Sequence, residues 1–297
     1  GDVIDVEWER LEQLRAEGFT GYTSCIPMLN QFFTYKPTEL IVGHAKAKVG
    51  KSFFVLNECK HLAIDQGIPV AVLDSELSDL TFITRMIARL SGFTIKMIEN
   101  GTYLEQSDGE QRVERAKNVL RDAPIHHCFM PDSWTDTAVC TKIKQLVLQF
   151  GVKMAIIDYI KSPSVGVNEK ESDILGNFTQ KVKDTIGVLN IPCLAFVQSS
   201  PYPTESGMLR IADSRKVERY ASTIFYLDKK TSELRGQEFN EQGGNTKLVV
   251  THNRNGAQAP EDDPTCGINI DVNWKIAKME QARWQCDVVK KLLEDNE

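Results

Sequence analysis

Residues 45–52 read Ala-Lys-Ala-Lys-Val-Gly-Lys-Ser, between an apolar run at 40–42 and a helix-like stretch that begins at Phe53. This is the order of a phosphate-binding loop. Backbone N–H groups of a tight loop and of a helix start point at phosphate oxygens, and the helix dipole favours negative charge there. In the pattern G-x-x-x-x-G-K-S/T the Lys, here Lys51, reaches the β- and γ-phosphates, and the hydroxyl, here Ser52, coordinates Mg²⁺. Only the first position departs, with Ala45 in place of Gly. Ala45, Lys48, Val49, Gly50, Lys51 and Ser52, with Phe53 behind them, are the expected cradle for ATP or another nucleoside triphosphate.

Four further segments place a polar side chain at the end of an apolar run. The run from Met154 ends at Asp158, an acid that either holds Mg²⁺ beside Ser52 or caps a buried strand. The run from Ala71 ends at Asp74-Ser75-Glu76. Glu76 could polarise an attacking water, while Ser78 and Asp79 suit a helix cap. The run from Cys193 ends at Gln198, an amide able to sense a γ-phosphate, although a strand-end Gln without function has the same spacing. The run from Val249 enters an Asn-Gly turn with Arg254 near its end, either a finger onto phosphate or a surface Arg. His126, His127 and Cys128 alternate across a strand, so they do not converge on a zinc ion. Trp134, Trp274 and Trp284 read as core or interface anchors.

Strand patterns fall at 39–42, 69–73, 125–129, 153–158, 193–197, 222–227, 247–252 and 268–272, and helix patterns at 51–65, 79–90, 109–121, 136–149, 172–189 and 277–293. The middle strands are continuously apolar, as when helices cover both faces of a parallel sheet. The expected fold is α/β, a mostly parallel central sheet flanked by helices. Residues 1–18 stand apart as an acidic helix with an apolar stripe of Val3, Ile4, Trp8, Leu11 and Leu14, ended by Gly18 and Gly21. Residues 19–297 are expected to form one domain, with surface loops at 162–170, 199–214 and 229–245. Hydrophobic content of 41% and charged content of 26% are those of an ordinary soluble protein. No apolar run approaches a membrane span, and no signal-peptide pattern opens the chain. The seven scattered cysteines form no CxxC pair and fit a reducing compartment. A net charge of −6 leaves room for a local basic channel.

Read in order, these segments resemble the RecA-like helicase domain of DnaB-type replicative helicases, over roughly residues 19–275. The approach Thr20-Gly21-Tyr22, Leu29 and Thr38 to Val42 is similar, and the family commonly carries Ala at the first loop position. Asp74-Ser75-Glu76-Leu77-Ser78 with Arg85 resembles the family's catalytic-glutamate strand and following helix. Ile157-Asp158-Tyr159-Ile160 resembles its Mg-binding strand. The stretch from Phe178 through Leu189-Asn190-Ile191-Pro192 to Gln198 resembles the approach to its sensor glutamine, and His252-Asn253-Arg254-Asn255-Gly256 its arginine-finger strand.

The resemblance implies a RecA-like P-loop core working as a Mg²⁺-dependent ATPase. It would assemble as a homo-oligomeric, hexameric ring, translocate on single-stranded DNA and unwind duplex. Glu76 would be the base or water-orienting group, and Gln198 would couple hydrolysis to the loop at 199–214. Ser52 and Asp158 would hold Mg²⁺. Arg254 would complete a neighbour's site, with Arg85 and His252 also on nucleotide. Residues 1–18 would be a linker helix docking on the next subunit or packing on their own domain. A primase or helicase loader is an expected partner, and the cytoplasm of a bacterium or phage-infected cell the expected location. A chain that begins at Gly1 is expected to be a processed or shortened, phage- or plasmid-like form without the family's separate N-terminal domain. Two departures stand out. His252 replaces a Lys usual two residues before the finger. The DNA-contacting loop carries Ala212-Asp213-Ser214-Arg215 in place of an Arg-acid-Ser-Gly run, leaving Arg210, Arg215 and Lys216 as the nearby candidates for DNA. Two rivals remain open: a recombinase or mediator of the RecA or RadA type, and a nucleotide-gated loader or binding protein that does not unwind.

Overall fold

The computed structural model describes residues 2–16, 20–161, 171–200, 203–205, 207–211, 215–230, 243–260, 263 and 265–294. Strands β1 (Leu40–Ala45), β2 (Val70–Asp74), β3 (Ile125–Phe129), β4 (Met154–Ile160), β5 (Cys193–Gln198), β6 (Thr223–Lys229), β7 (Thr246–Asn253), β8 (Ile268–Asn273) and β9 (Lys278–Gln281) form one sheet in the order β3-β2-β4-β5-β1-β6-β7-β8-β9. From β3 to β6 every pairing is parallel, and from β6 to β9 every pairing is antiparallel. The helices are α1 (Asp2–Ala16), α2 (Lys51–Lys60), α3 (Asp79–Ser91), α4 (Ile95–Asn100), α5 (Gly109–Asp122), α6 (Asp136–Phe150), α7 (Glu171–Leu189), α8 (Arg215–Tyr220) and α9 (Asp287–Glu294).

Side chains alternate across each strand, so continuous apolar runs feed two cores. Ile41, Val72, Ile156, Leu194 and Phe225 face α2 and α3 and pack with Phe54, Leu56, Phe82 and Met86. Leu40, Val42, Leu73, Ile157 and Val197 face the other way, onto Val139 and Ile143 of α6 and Phe178, Val182 and Ile186 of α7. Each such buried side chain contributes about 1.5–3 kcal/mol over leaving it in water. The crowding has a local consequence at Gly43. A Cβ there would lie 2.6 Å from Phe196 and 2.8 Å from Phe225, so the central strand admits no side chain at that point.

The expected sheet and its flanking helices are present, with one correction. The pattern at 277–293 is not one helix. Residues Lys278–Gln281 form β9, paired with β8 through Val272 and Met279, and only Asp287–Glu294 is helical. Ala277 turns the chain at φ 51°, and its carbonyl accepts a 2.9 Å hydrogen bond from Asn57 of α2. Met279 is buried beneath. A good helix-forming sequence is overridden by an open sheet edge and a tertiary anchor. The short helices α4 and α8 lie outside the expected helix patterns. The expected loop at 162–170, and residues 231–242 of the one expected at 229–245, lie outside the described residues, while Lys229 of the latter ends β6. Of 199–214, Ser199 and Ile211 close the ends as a bridge.

One buried charge makes a test of this packing. Glu58 of α2 is fully buried and accepts hydrogen bonds from the Ser24 hydroxyl and, at 3.2 Å, from the Cys25 backbone N–H. Burial outweighs those donors and pushes its pKa up to about 7. The folded state therefore keeps a proton that the unfolded chain releases near 4.5. The resulting stability is full below about pH 4.5 and is lost as the pH rises through about 7, on the order of 3 kcal/mol in all. Glu58→Gln is expected to flatten this slope. Urea unfolding of both forms at about pH 5 and about pH 8 checks it, and parallel slopes would rule the assignment out.

Candidate nucleotide site

The phosphate loop leaves the C-terminal end of β1, at the centre of the sheet, and enters α2. Lys48 (φ 64°) and Gly50 (φ 120°) both turn the backbone through conformations that L side chains rarely adopt. At Gly50 a Cβ would also meet the Trp274 ring at 3.1 Å. Beside this loop lie the ends of β5, β2 and β4, and together they line a pocket of about 520 Å³. Its walls include Lys48, Gly50, Lys51, Ser52, Phe53, Glu76, Arg85 and Gln198. Strands far apart in sequence have thus brought most of the expected residues to one place. Ala45 and Val49 are buried and are not among the pocket's lining residues. A larger concavity of about 680 Å³ lies over β8 and β9, shares Trp274 with the pocket and contains none of the loop residues.

The electrostatics centre on a crowded set of carboxylates. Asp74 and Asp158 are register partners in adjacent strands and are almost fully buried. Burial, and then the neighbouring Asp74 charge, push the Asp158 carboxyl up to about 7, while a hydrogen bond from Ser52 and the Lys51 charge pull the other way. Lys51 sits with Nζ 3.8 Å from the centre of the Tyr159 ring. Burial lowers its pKa, opposed by Asp158 and Glu76. Arg85 is likewise lowered by burial and opposed by Asp74 and Asp158. Its guanidinium lies over Phe53. Asp158 Oδ2 is buried with no hydrogen-bond partner among the described residues. An open carboxylate oxygen beside the Ser52 hydroxyl fits a hard cation with oxygen ligands, as Mg²⁺ requires.

Glu76 follows β2 on a short turn that Asp74 holds. Asp74 Oδ1 accepts the backbone N–H of Glu76 and of Leu77, both at 2.7 Å. Gln198 ends β5 and pairs in register with Ala45. Just beyond it, Ser199 Oγ lies 2.9 Å from Nδ1 of His44, a buried ring whose pKa burial lowers to about 3. A neutral His44 therefore ties the strand under the phosphate loop to the segment after Gln198.

Arg254 and His252 are not in this pocket. β7 runs antiparallel to β6, so its end meets the start of β6, with Asn253 opposite Thr223. Arg254 N–H donates to Ser222 O at 3.0 Å, and Ser222 N–H donates to Leu40 O at 2.8 Å. Leu40 begins β1, whereas Ala45 ends it. Arg254 is thus one strand length, roughly 17 Å, from its own phosphate loop. It donates to the Arg219 carbonyl at that far end.

Sequence reading missed several residues. Trp274, expected as a core or interface anchor, lines the pocket and is 38% exposed, tilted against Phe53 with Lys229 Nζ 4.4 Å from its ring centre. Tyr159, Lys229 and Asp74 also belong to the site. An aromatic after Asp158 and a second strand-end acid were the available signals, while nothing local marked Lys229. Trp134 is buried as expected, and Trp284 is exposed. His126 stacks on Phe150 and His127 on Phe82, consistent with opposite faces, and no metal-binding group of three or more such residues occurs among the described residues. Of the DNA candidates, Arg210 is exposed, Lys216 is bonded at 2.7 Å to Asp173 of α7, and Arg215 begins α8.

A central β1 feeding a phosphate loop, with Gln198 ending the adjacent β5 and acids at the C-terminal ends of β4 and β2 beyond it, defines a RecA-like P-loop nucleotide-binding core. The sequence matches the DnaB-like helicase C terminal domain family over residues 21–261, and the chain belongs to that family. It is 26% identical over 231 residues to the replicative DNA helicase DnaB of Treponema pallidum, covering 75% of this chain and 48% of that protein. It is 22% identical to a probable plasmid replicative DNA helicase of Chlamydia muridarum, covering 72% of this chain and 46% of that protein. The chain thus spans about half the length of the curated relatives it matches. Among solved structures, a DnaB-like replicative helicase studied with its primase interactions superposes with a TM-score of 0.74 at 16% identity, covering 94% of this chain and 66% of that one. A second, an ATPase domain, gives a TM-score of 0.76 at 16% identity, covering 94% of this chain and 98% of that one. These two likenesses establish the fold.

Proposed function

We propose that this chain is an ATP-hydrolysing motor that assembles into a homo-oligomeric ring, hexameric by analogy with its family, and moves on single-stranded DNA to unwind duplex at a replication fork. One observation carries the reading. The phosphate loop, Glu76, Asp158 and Gln198 lie at the C-terminal ends of the parallel strands, and Arg254 and His252 lie at the opposite, N-terminal ends. A subunit holding half a site at each end completes both halves by assembling head to tail, and such contacts close into a ring.

In this reading Lys51 and the loop N–H groups hold the β- and γ-phosphates, and Glu76 orients and deprotonates the attacking water. Arg254 of the partner subunit, with His252 beside it, stabilises charge gathering on the transferred phosphoryl group. Ser52 and Asp158 would hold Mg²⁺, which neutralises phosphate charge when bound. Gln198 reports the γ-phosphate to the segment that follows it. That segment leads to Arg210, Arg215 and Lys216, which we assign to the DNA backbone. α1 supports the ring reading. Val3, Ile4 and Trp8 are 76%, 74% and 53% exposed, so these three side chains are left largely uncovered by their own domain. We assign them to the surface of the next subunit. A primase or loader, and a cytoplasmic setting, belong to the same reading.

The test is ATP hydrolysis and forked-duplex unwinding with and without single-stranded DNA, in the full chain and after removal of residues 1–16. Stimulation by DNA, unwinding, and loss of both together with the large assembly on truncation are expected. The Lys216–Asp173 pair specifically favours the second reading, since it occupies one of the three DNA candidates within the chain. ATP binding with neither DNA response nor unwinding would establish that reading, a nucleotide-gated binding protein.

A further inference from the structure

β3 supplies nothing to the pocket walls, yet it carries a polar contact to the turn that holds Glu76. His127 lies on β3 opposite Val72, with a side chain 8% exposed. Its ring is stacked on Phe82 of α3, centroids 4.2 Å apart. Nδ1 is 2.7 Å from Asp79 Oδ1, and Nε2 is 3.8 Å from Asp74 Oδ2. An ionised carboxylate only accepts, so the ring donates through Nδ1. Nε2 then faces a second carboxylate oxygen. Both Nε2 and Asp74 Oδ2 are buried and have no hydrogen-bond partner among the described residues. Two facing groups left so are unfavourable, since each has given up water without gaining a partner. The 3.8 Å approach sets this edge of the imidazole against the Asp74 carboxylate, with Phe82 stacked on the ring to hold it there. The other oxygen of Asp74 already accepts the N–H groups of Glu76 and Leu77. Asp79, His127 and Asp74 therefore form a chain that ends on the backbone of Glu76.

We propose that His127 is a positioning residue for Glu76. It holds the Asp74 carboxylate in the orientation that fixes the Glu76 turn, and it touches neither nucleotide nor water. The inference rests on the reading of Glu76 as the water-orienting group. Without the imidazole, the Asp74 carboxylate is held only through its two bonds to the Glu76 turn, and carboxylate and turn can shift together. A misplacement of about 1 Å at a reacting group costs up to about 10²-fold.

The experiment measures kcat, KM for ATP, nucleotide Kd and Tm for three variants of the full chain. His127→Phe keeps the stack on Phe82 and removes both ring nitrogens. It is expected to lower kcat by about 10- to 100-fold with Kd and KM unchanged. His127→Gln returns an N–H near the Nε2 position and is expected to recover most of that loss. Asp79→Ala, at an exposed residue that folding tolerates, is expected to lower kcat in the same direction if His127→Phe does not fold. Parental kcat in His127→Phe, or in Asp79→Ala where that variant stands in for it, overturns the proposal. So does a fall in kcat and nucleotide affinity together without recovery in His127→Gln. Glu76→Gln separates the two readings. If that variant abolishes hydrolysis and His127→Phe leaves it intact, this proposal alone fails. If Glu76→Gln hydrolyses at the parental rate, the role of Glu76 fails and this proposal with it.

Discussion

Arg254→Ala is expected to bind ATP as tightly as the parent and to hydrolyse it about 10³- to 10⁵-fold more slowly, the scale of an arginine finger. Binding should survive because Arg254 lies at the start of β6, across the sheet from its own phosphate loop. Hydrolysis should fail because, in the proposed ring, a guanidinium supplied by the next subunit would meet charge that gathers only in the transition state. The decisive measurement is a mixture. Lys51→Ala keeps its Arg254 but cannot hold nucleotide, whereas Arg254→Ala holds nucleotide but offers no finger. Where a Lys51→Ala subunit presents its Arg254 to an Arg254→Ala neighbour, one intact site forms. Some activity should therefore return on mixing. Mixtures that demonstrably co-assemble and regain nothing would remove Arg254 from the shared site.

Glu76→Gln should keep nucleotide and lose about 10²- to 10⁴-fold in turnover. The amide keeps the size and hydrogen-bonding reach of the side chain but takes no proton from water. Its backbone remains held by Asp74 Oδ1, so the loss is chemical and not conformational. Lys51→Ala differs in kind, since it loses tight binding too. Single-turnover hydrolysis with nucleotide pre-bound separates the two. A Glu76→Gln protein that turns over at the parental rate would pass the base role to another carboxylate, and Asp74 is too well buried to take it without moving.

Much of this site was legible because its parts are local. The phosphate loop is contiguous, and its chemistry needs only a turn, a Lys and a hydroxyl at fixed offsets. The apolar strand runs ending in Asp158, Glu76 and Gln198 announced themselves by composition. Parallel strands covered on both faces read as unbroken hydrophobic segments, so the sheet was legible for the same reason. The order of the five motifs along the chain was enough to mark the family.

What could not be read was set by partners distant in sequence. Residues 278–281 have helix-forming side chains and become a strand because β8 offers an unpaired edge, and Asn57 anchors the turn before them. Trp274 and Lys229 reach the pocket only because β6 and β8 carry their ends past the phosphate loop. Asp74 and Asp158 became one electrostatic unit through the register of β2 against β4, which brings two carboxylates far apart in the chain into adjacent places. The placement of Arg254 was decided in the same way. Its sequence allows a finger or a surface Arg, and which end of the strands it occupies depends on β7 running antiparallel to β6. Residue type and short spacing specify which chemistry a segment can do, because those depend on the backbone within a few residues. Strand order and register specify with what, and for which subunit, because those depend on pairings that only the folded chain makes.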